Sequence, residues 1–325
     1  MAFESIINIT SQTDFEAKAL ETFNYQYKWN TTYRQFCDYL KKNAGSVQQV
    51  DDIPFLPISF FKTHKIISGK ERSVIVFSSS GTTGSQTSKH FVQDLEFYKK
   101  SYSKGFQYFY GAIKNYCVLA LLPSYLEREG SSLVYMVQDL IVKSGHPQSG
   151  FYLNNMAELR DKLEKLEHSG TKTLLIGVSF ALLDMVEQYP LQLRHTIVME
   201  TGGMKGRRKE LIREELHDRL KKGFGIDRIH SEYGMTELLS QAYSKGNGVF
   251  ETPPWMNVKI RSTQDPLSYQ PIGKTGGLNI IDLANRHSCS FIATQDLGKV
   301  NVNGGFEVLG RFDHSDVRGC NLMML

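Results

Sequence analysis

Residues 172–203 read KTLLIGVSFALLDMVEQYPLQLRHTIVMETGG, from Lys172 to Gly203. KTLLIGV is apolar without alternation, so it reads as a strand buried on both faces rather than one half-exposed to water. HTIVMETGG is a second strand running into a loop, and FALLDMVEQY between them reads as a helix. Strand, helix, strand in this order is the crossover unit of a parallel sheet.

The same alternation continues on either side. YCVLALL (Tyr116–Leu122) is a strand stopped by Pro123, and SSLVYMVQDLIVKSG is a helix with Ser131 or Ser132 as cap and Gly145 as stop. NMAELRDKLEKLEHSG is a charged helix ending at Gly170. KGRRKELIREELHDRLKKGFG is helical, with Glu215–Arg219 and Asp218–Lys222 spaced to pair along one face. This pattern predicts an α/β fold with a mostly parallel sheet and helices on both faces. Beyond about Gly246 the helical signal disappears. WMNVKIRST, GGLNIIDL, CSFIAT and FEVLGR are short strands between turns, which predicts a small C-terminal β-rich subdomain. The expected division is an α/β core with an N-terminal helical region at 1–245, and the β-rich subdomain at 246–325. Within that N-terminal region, Asn30-Thr31 is positioned to cap a helix burying Tyr33, Phe36, Cys37 and Leu40, with Gly45 as its stop. The Pro-rich stretch IPFLPISFFKTHK then argues against a regular helix.

Composition narrows the function classes. At roughly 150 residues per domain, 325 residues suggest two domains or one with an appendage. With 41% hydrophobic and 22% charged residues the chain can bury a sizeable core, which excludes disorder. A net charge of +4 suits small anions and is too weak to argue for nucleic acid. The longest apolar run, Tyr116–Leu122, falls far short of the ~20 residues of a membrane helix, and MAFESIINIT is not a signal peptide. The 4 cysteines, Cys37, Cys117, Cys289 and Cys320, contain no CxxC pair, so neither a disulfide framework nor a structural zinc site is expected. A reduced, cytoplasmic protein is expected.

The sharpest local motif is SVIVFSSSGTTGS, a strand running into Ser78-Ser79-Ser80-Gly81-Thr82-Thr83-Gly84-Ser85. Glycines let backbone N–H groups approach an anion, and the hydroxyls add donors suited to polyphosphate oxygens. The segment KHFVQDLEFYKKSYSKGFQYFY that follows has helical spacing, so a helix N-terminus beside the loop would favour the same charge. The competing reading is a Ser/Thr/Gly linker. Other phosphate motifs fail: Gly273-Lys274-Thr275 has Ser268 where a Walker loop needs glycine, and Gly223-Phe224-Gly225 has Arg228 where a dinucleotide fingerprint needs one.

Farther along, HSEYGMTELLSQAYS sets Tyr233, Gly234, Met235, Thr236 and Glu237 just past a predicted strand. A carboxylate there could hold Mg2+ against phosphate oxygens, although Thr-Glu opening a helix is commonly just a cap. Asp296 follows in TQDLGKV, then Arg311 and Asp313 in LGRFDHSDVRG.

Hydroxyl loop, YGMTE, Asp and GR-x-D in that order resemble the adenylate-forming superfamily of acyl-CoA synthetases, phenylacetate-CoA ligases and peptide-synthetase adenylation domains. LPSYLEREGSSLVYM, METGGMKGRR and SEYGMTELLSQAY are most similar to the acyl-protein synthetases (long-chain-fatty-acid–protein ligases) of the bacterial bioluminescence fatty-acid reductase system. The likeness runs from about Pro54 to the end. It implies ATP and Mg2+ as cofactors, a carboxylic acid, foremost a fatty acid, as substrate, and an acyl-accepting protein such as a reductase or carrier as partner. It implies that Ser80, Gly81, Thr82, Thr83 and Gly84 bind phosphate, that Gly202 and Gly203 lie against adenine, and that Tyr233 stacks on it. Thr236 then matches the α-phosphate contact, Glu237 the magnesium ligand, and Asp296 with Arg311 the pair holding the ribose hydroxyls. Cys320, in VRGCNLMML, matches the acyl-accepting thiol, with Arg318 nearby to favour the thiolate.

Two departures from the family stand out. Many members carry lysine where this sequence has Thr87, with Lys89 two residues on. Typical members also continue past GR-x-D into a mobile lid bearing a catalytic lysine, whereas this sequence ends at Leu325. The lid is therefore expected to be absent, with adenylation proceeding without that lysine or with Mg2+ and Lys89 replacing its charge. The acyl chain is expected near Val178, Phe180 and the SSLVYM helix. Two rival readings stay open: a lid-less, non-catalytic nucleotide- or acyl-binding module, and a serine hydrolase or acyltransferase. The second would use Ser179 in GVSFA, a near match to G-x-S-x-G, with Asp296 and His314 in the right order.

Overall fold

The computed structural model describes residues 4–70, 72–79, 86–123, 130–202 and 211–312. The N-terminal part is helical: α1 (Glu4–Ile7), α2 (Gln12–Trp29) and α3 (Thr31–Tyr39). Ser11 and Asn30 cap α2 and α3 by accepting from the N–H groups of Asp14 and Tyr33, which supplies partners to otherwise orphaned donors. The third helix ends at Tyr39, short of the expected stop at Gly45, and Lys41 turns the chain with a φ of 55°. A two-residue strand, β1 (Leu56–Pro57), and a single helical turn, α4 (Phe60–Thr63), lie in the Pro-rich stretch.

The strand β2 (Ile75–Ser78) is followed not by a helix but by a second strand, β3 (Lys89–Val92), antiparallel to it. Helix α5 (Leu95–Tyr110) starts only after Asp94, whose side chain caps it. The hydroxyl loop therefore joins two strands of a hairpin, and the expected helix N-terminus beside it is not there. The aromatic run KHFVQDLEF hides this boundary because four residues of strand are too few to establish a period of two.

From here the crossover pattern holds. The elements are β4 (Cys117–Leu121), α6 (Ser132–Ser144), β5 (Gly150–Phe151), α7 (Met156–His168), β6 (Thr173–Val178), α8 (Ser179–Gln188), β7 (Thr196–Thr201), α9 (Arg213–Phe224), β8 (His230–Tyr233) and β9 (Ala242–Ser244). They build a six-stranded sheet in the order β5-β4-β6-β7-β8-β9. Every neighbouring pair is parallel except β8–β9, which is antiparallel. All of β4 and β6 is buried, which is why both read as unbroken apolar runs. Ser131 caps α6, and Gly145 ends it in a left-handed conformation that glycine adopts without strain. Along α9, Glu215 pairs with Arg219 at 2.6 Å, but Asp218 takes Lys221 rather than the expected Lys222.

The remaining strands are β10 (Val249–Phe250), β11 (Met256–Arg261), β12 (Gly276–Asp282), β13 (Phe291–Val300) and β14 (Phe306–Arg311). They form an antiparallel sheet, β10-β14-β13-β12-β11, as the turn-rich end of the sequence suggested. The N-terminal β1 joins it, parallel to β13. One continuous apolar core runs from Ile6 through Val178 to Phe306.

Candidate active site

Strands of an open parallel sheet offer ligands their carboxyl ends, where loops and helix starts converge. Here Thr201 on β7 lies opposite Glu232 on β8, so Gly202 and Tyr233 follow side by side at that edge. Gly202 is exposed, with a φ of 66° that strains any other residue. Tyr233 is braced edge-on by Phe306 at 5.6 Å and steeply inclined to Phe250 at 5.9 Å, and those two rings stack on each other.

The phenol of Tyr233 donates to Asp296 Oδ2 at 2.7 Å, and Arg311 Nε donates to Asp296 Oδ1 at 3.1 Å. Asp296 and Arg311 face each other directly across β13 and β14. The pair that the resemblance implied, Asp296 and Arg311, is thus joined by Tyr233. Burial raises the Tyr233 phenol well above its usual range, and the Asp296 charge adds to it. The hydroxyl therefore stays protonated and remains a donor.

Thr236 and Glu237 sit in a turn between β8 and β9, with no helix for them to cap. Glu237 is only 5% exposed. Burial lifts its carboxyl above the usual range, opposed by a hydrogen bond to Ser88 and the charge of Arg311. A buried oxygen donor with no ion pair among the described residues suits a hard divalent cation, which commonly takes one or two protein carboxylates and fills its shell with water and phosphate. Among the described residues no cluster of three or more His, Cys, Asp or Glu could hold a metal by itself.

The base of the hydroxyl loop is braced where it is described. Ser79 N–H donates to Ser88 O at 3.1 Å, and Ser88 N–H donates to Ser79 Oγ at 3.0 Å. Ser80, Gly81, Thr82, Thr83, Gly84, Gly203 and Cys320 lie outside the described residues. Lys89 is exposed where β3 begins, opposite Ser78.

Against a hydrolase, Ser179 is 2% exposed, and its hydroxyl donates to Gly202 O at 2.8 Å and Glu200 Oε2 at 3.3 Å. A nucleophile needs a base within hydrogen-bond reach, and this serine faces a carbonyl and a carboxylate already bound to Arg213 at 2.6 Å. Asp296, named in that rival reading, accepts from Tyr233 and Arg311, and its His314 lies outside the described residues. Val178 and Phe180, expected beside an acyl channel, are packed into the core at 1% and 7% exposure. Cys37, Cys117 and Cys289 are buried as expected.

A family model described as "Acyl-protein synthetase, LuxE" matches residues 10–325. The chain belongs to this family. A long-chain-fatty-acid–luciferin-component ligase from Vibrio harveyi is 24% identical over 93% of this chain and 85% of that protein. A ligase of the same name from Photorhabdus luminescens is 35% identical over 20% of this chain and 56% of its own. Among solved structures, 2-hydroxyisobutyryl-CoA ligase with R3-HIB-AMP is similar at a TM-score of 0.66, with 9% identity over 93% of this chain and 68% of that one. ATP-bound MatB from Rhodopseudomonas palustris is similar at a TM-score of 0.56, with 17% identity over 73% of this chain. The match spans 47% of MatB, about half its length. These likenesses show that the chain shares the α/β fold of those two ligases. No helix among the described residues is long and apolar enough to cross a membrane.

In this acyl-protein synthetase family member, sequence reading missed the supports of the Thr236–Glu237 turn. His90 Nδ1 lies 2.8 Å from Thr236 O, and Asn285 Nδ2 donates to Glu237 O at 2.6 Å. Asp282 accepts from the N–H groups of Leu239 and Ser240 at 2.9 and 3.0 Å. Burial pushes the His90 imidazole down to about 4, so it is neutral at physiological pH. The signal for Asp282 and Asn285 was a polar pair inside the apolar run LNIIDLAN.

Proposed function

We propose that the chain uses ATP to activate a carboxylic acid, foremost a long-chain fatty acid, as acyl-AMP and then passes the acyl group to a protein thiol. The observation that carries this reading is the Tyr233–Asp296–Arg311 cluster lying beside the buried Glu237 at one sheet edge. In this reading Gly202, Gly203 and the Tyr233 ring flank adenine, and Asp296 with Arg311 takes the ribose hydroxyls. Loop N–H groups from Ser80 to Gly84 and the Thr236 hydroxyl contact the phosphates. Mg2+, held through Glu237, would offset phosphate charge.

The substrate carboxylate attacks the α-phosphorus in line, and the bond to the bridging oxygen breaks as pyrophosphate leaves. Fixed donors around the phosphates stabilise that charge without reorganising. A thiolate then attacks the acyl carbonyl, AMP departs on its phosphate oxygen, and a thioester remains. Burial raises the Cys37 thiol to about 12 and raises Cys117 and Cys289 also, so none of these three is a ready nucleophile. Within the chain this leaves Cys320, with a reductase or carrier as the onward acceptor.

The test is carboxylate-dependent exchange of labelled pyrophosphate into ATP, run with mass spectrometry of the intact protein. Glu237→Gln should lower exchange about 100-fold with unchanged thermal stability; wild-type exchange in that variant removes Glu237 from the site. Cys320→Ser should keep exchange but lose covalent acylation, and an acylated variant moves the acceptor elsewhere. ATP binding with no exchange against any fatty acid would favour the non-catalytic nucleotide-binding module instead.

A further inference from the structure

Asp296 stands on an irregular piece of β13. Ala293 and Leu297 pair with Asn279 and Gly277 on β12, so Thr294, Gln295 and Asp296 together oppose Leu278 alone. Such a bulge interrupts the ladder, re-aims the side chains it carries and leaves backbone groups to be satisfied from elsewhere. Arg261, at the end of β11, satisfies them. Its Nη1 donates to Leu278 O at 2.8 Å and to Asn279 Oδ1 at 2.9 Å, and its Nη2 donates to Thr294 O. The Thr294 hydroxyl donates to Leu278 O at 3.0 Å and accepts from the N–H of Asp296 at 3.1 Å. Gly277, paired with Arg261 across β11 and β12, makes the room, since a Cβ there would lie 2.4 Å from the guanidinium carbon. That carbon lies over the Phe312 ring, 5.4 Å from its centre, and the Phe312 N–H donates to Gln295 O at 2.8 Å. Burial works against the Arg261 charge, and the Asp296 carboxylate works for it.

We propose that Arg261 is a positioning residue for nucleotide recognition: by filling the bulge it aims Asp296 at a ribose diol, so that the site tells a ribonucleotide from one lacking those hydroxyls. The inference rests on the acyl-adenylating reading above, in which Asp296 and Arg311 take the ribose hydroxyls. Each Asp296 oxygen accepts one protein donor, from Tyr233 or from Arg311. A carboxylate oxygen has room for a second, so both can still accept from a diol. The planar fork of arginine suits the supporting role, because its two nitrogens reach carbonyls of two strands at once, whereas the ammonium of lysine is a single point. Without the fork the bulge has Thr294 alone to hold it. A small drift of the carboxylate then weakens bonds to a diol of fixed geometry and leaves base and phosphates untouched.

Variants of the full chain are compared by titration calorimetry with ATP and with 2′,3′-dideoxy-ATP, both in Mg2+. The two ligands share base and triphosphate, so the ratio of their affinities reads the ribose contact alone. Wild type is expected to prefer ATP by about tenfold or more, the scale of a hydrogen bond to a charged group. Arg261→Met keeps an unbranched side chain and removes the donors. It should weaken ATP binding about tenfold and binding of the dideoxy form by no more than about twofold, so that the preference collapses. Arg261→Lys should lose the preference too, since restoring the charge does not restore the fork. A folded Arg261→Met that keeps the wild-type preference, or that weakens both nucleotides equally, reduces Arg261 to a staple between strands and overturns the proposal. If Arg261→Met does not fold, Arg261→Lys is judged by the same criteria. Wild-type protein that takes up no ATP, or binds both nucleotides equally, overturns the ribose placement in the adenylating reading, and the inference with it.

Discussion

Glu232 sits one residue before Tyr233, 7% exposed, and accepts from Thr201 Oγ1 at 2.5 Å. A Cβ at Gly234 would stand 2.4 Å from its Oε1, so glycine there makes room for the carboxyl. Burial and the neighbouring Glu200 push Glu232 up to about 7. Among the described residues, Tyr98 and Tyr243 also feel its charge, and neither is ionised near neutrality. Glu200 itself goes the other way: burial opposes its charge, but His217 and Arg213 outweigh it and hold it below the usual range. The folded chain therefore binds a proton on Glu232 that the unfolded chain releases above its ordinary value of 4.5. Stability contributed by that proton is full below about 4.5, falls as pH rises to about 7 and is then gone, a span of about 3 kcal/mol. Glu232→Gln should remove this loss, matching wild type in urea at pH 4.5 and exceeding it by up to about 3 kcal/mol at pH 8. Parallel pH profiles for the two proteins would refute the assignment.

At the scale of elements, α8 and α9 approach closely because Gly223 has no side chain. A Cβ there would lie 2.3 Å from Val186 Cβ. Alanine in a helix is worth about 1 kcal/mol over glycine, whereas overpacking a fixed contact costs about 1–3 kcal/mol. The clash wins. Gly223→Ala should lower the unfolding free energy by up to about 2 kcal/mol, and adding Val186→Ala should recover part of the loss through coupling between touching residues. A more stable single variant would mean that the helices can slide apart. The failed dinucleotide fingerprint at Gly223-Phe224-Gly225 thus has a packing explanation: Gly223 admits Val186, and Gly225 ends α9 in the left-handed region with a φ of 64°.

Across the whole molecule, the N-terminal helices are fastened to the C-terminal sheet by buried amides. Gln26 on α2 donates to Asn285 O and Arg286 O at 3.1 and 2.9 Å, and its Oε1 accepts from Ser290 N–H at 3.0 Å. Asn30 reaches Ser288 O at 3.0 Å, and β1 pairs with β13. Asn285, held on its backbone by Gln26, uses its own side chain on Glu237, so the helical N-terminus supports the site without touching it. Gln26→Leu leaves several buried groups unpaired, each costing about 1–3 kcal/mol. We expect a loss of at least about 3 kcal/mol and one cooperative transition by fluorescence and circular dichroism alike. A separate early transition for the N-terminal helices would break that linkage.

Much of this protein was legible in the residues themselves. Strands β4 and β6 announced themselves because a strand covered on both faces reads as an unbroken apolar run, and the caps at Asn30 and Ser131 because a helix start leaves donors needing an oxygen. The order of the hydroxyl loop, YGMTE, Asp296 and Arg311 was enough to point to the superfamily, since those are local patterns of residue type. Tertiary structure alone decided which groups meet. It paired Tyr233 with Asp296 across 63 positions and His90 with Thr236 across 146, and it turned Lys89–Val92 into a strand. It also gave the Ser179 hydroxyl to Gly202, which no motif distinguishes from a nucleophile. Periodicity reports the burial a residue needs, whereas a hydrogen bond between distant segments depends on the register and crossing of elements that are set only when the whole core closes.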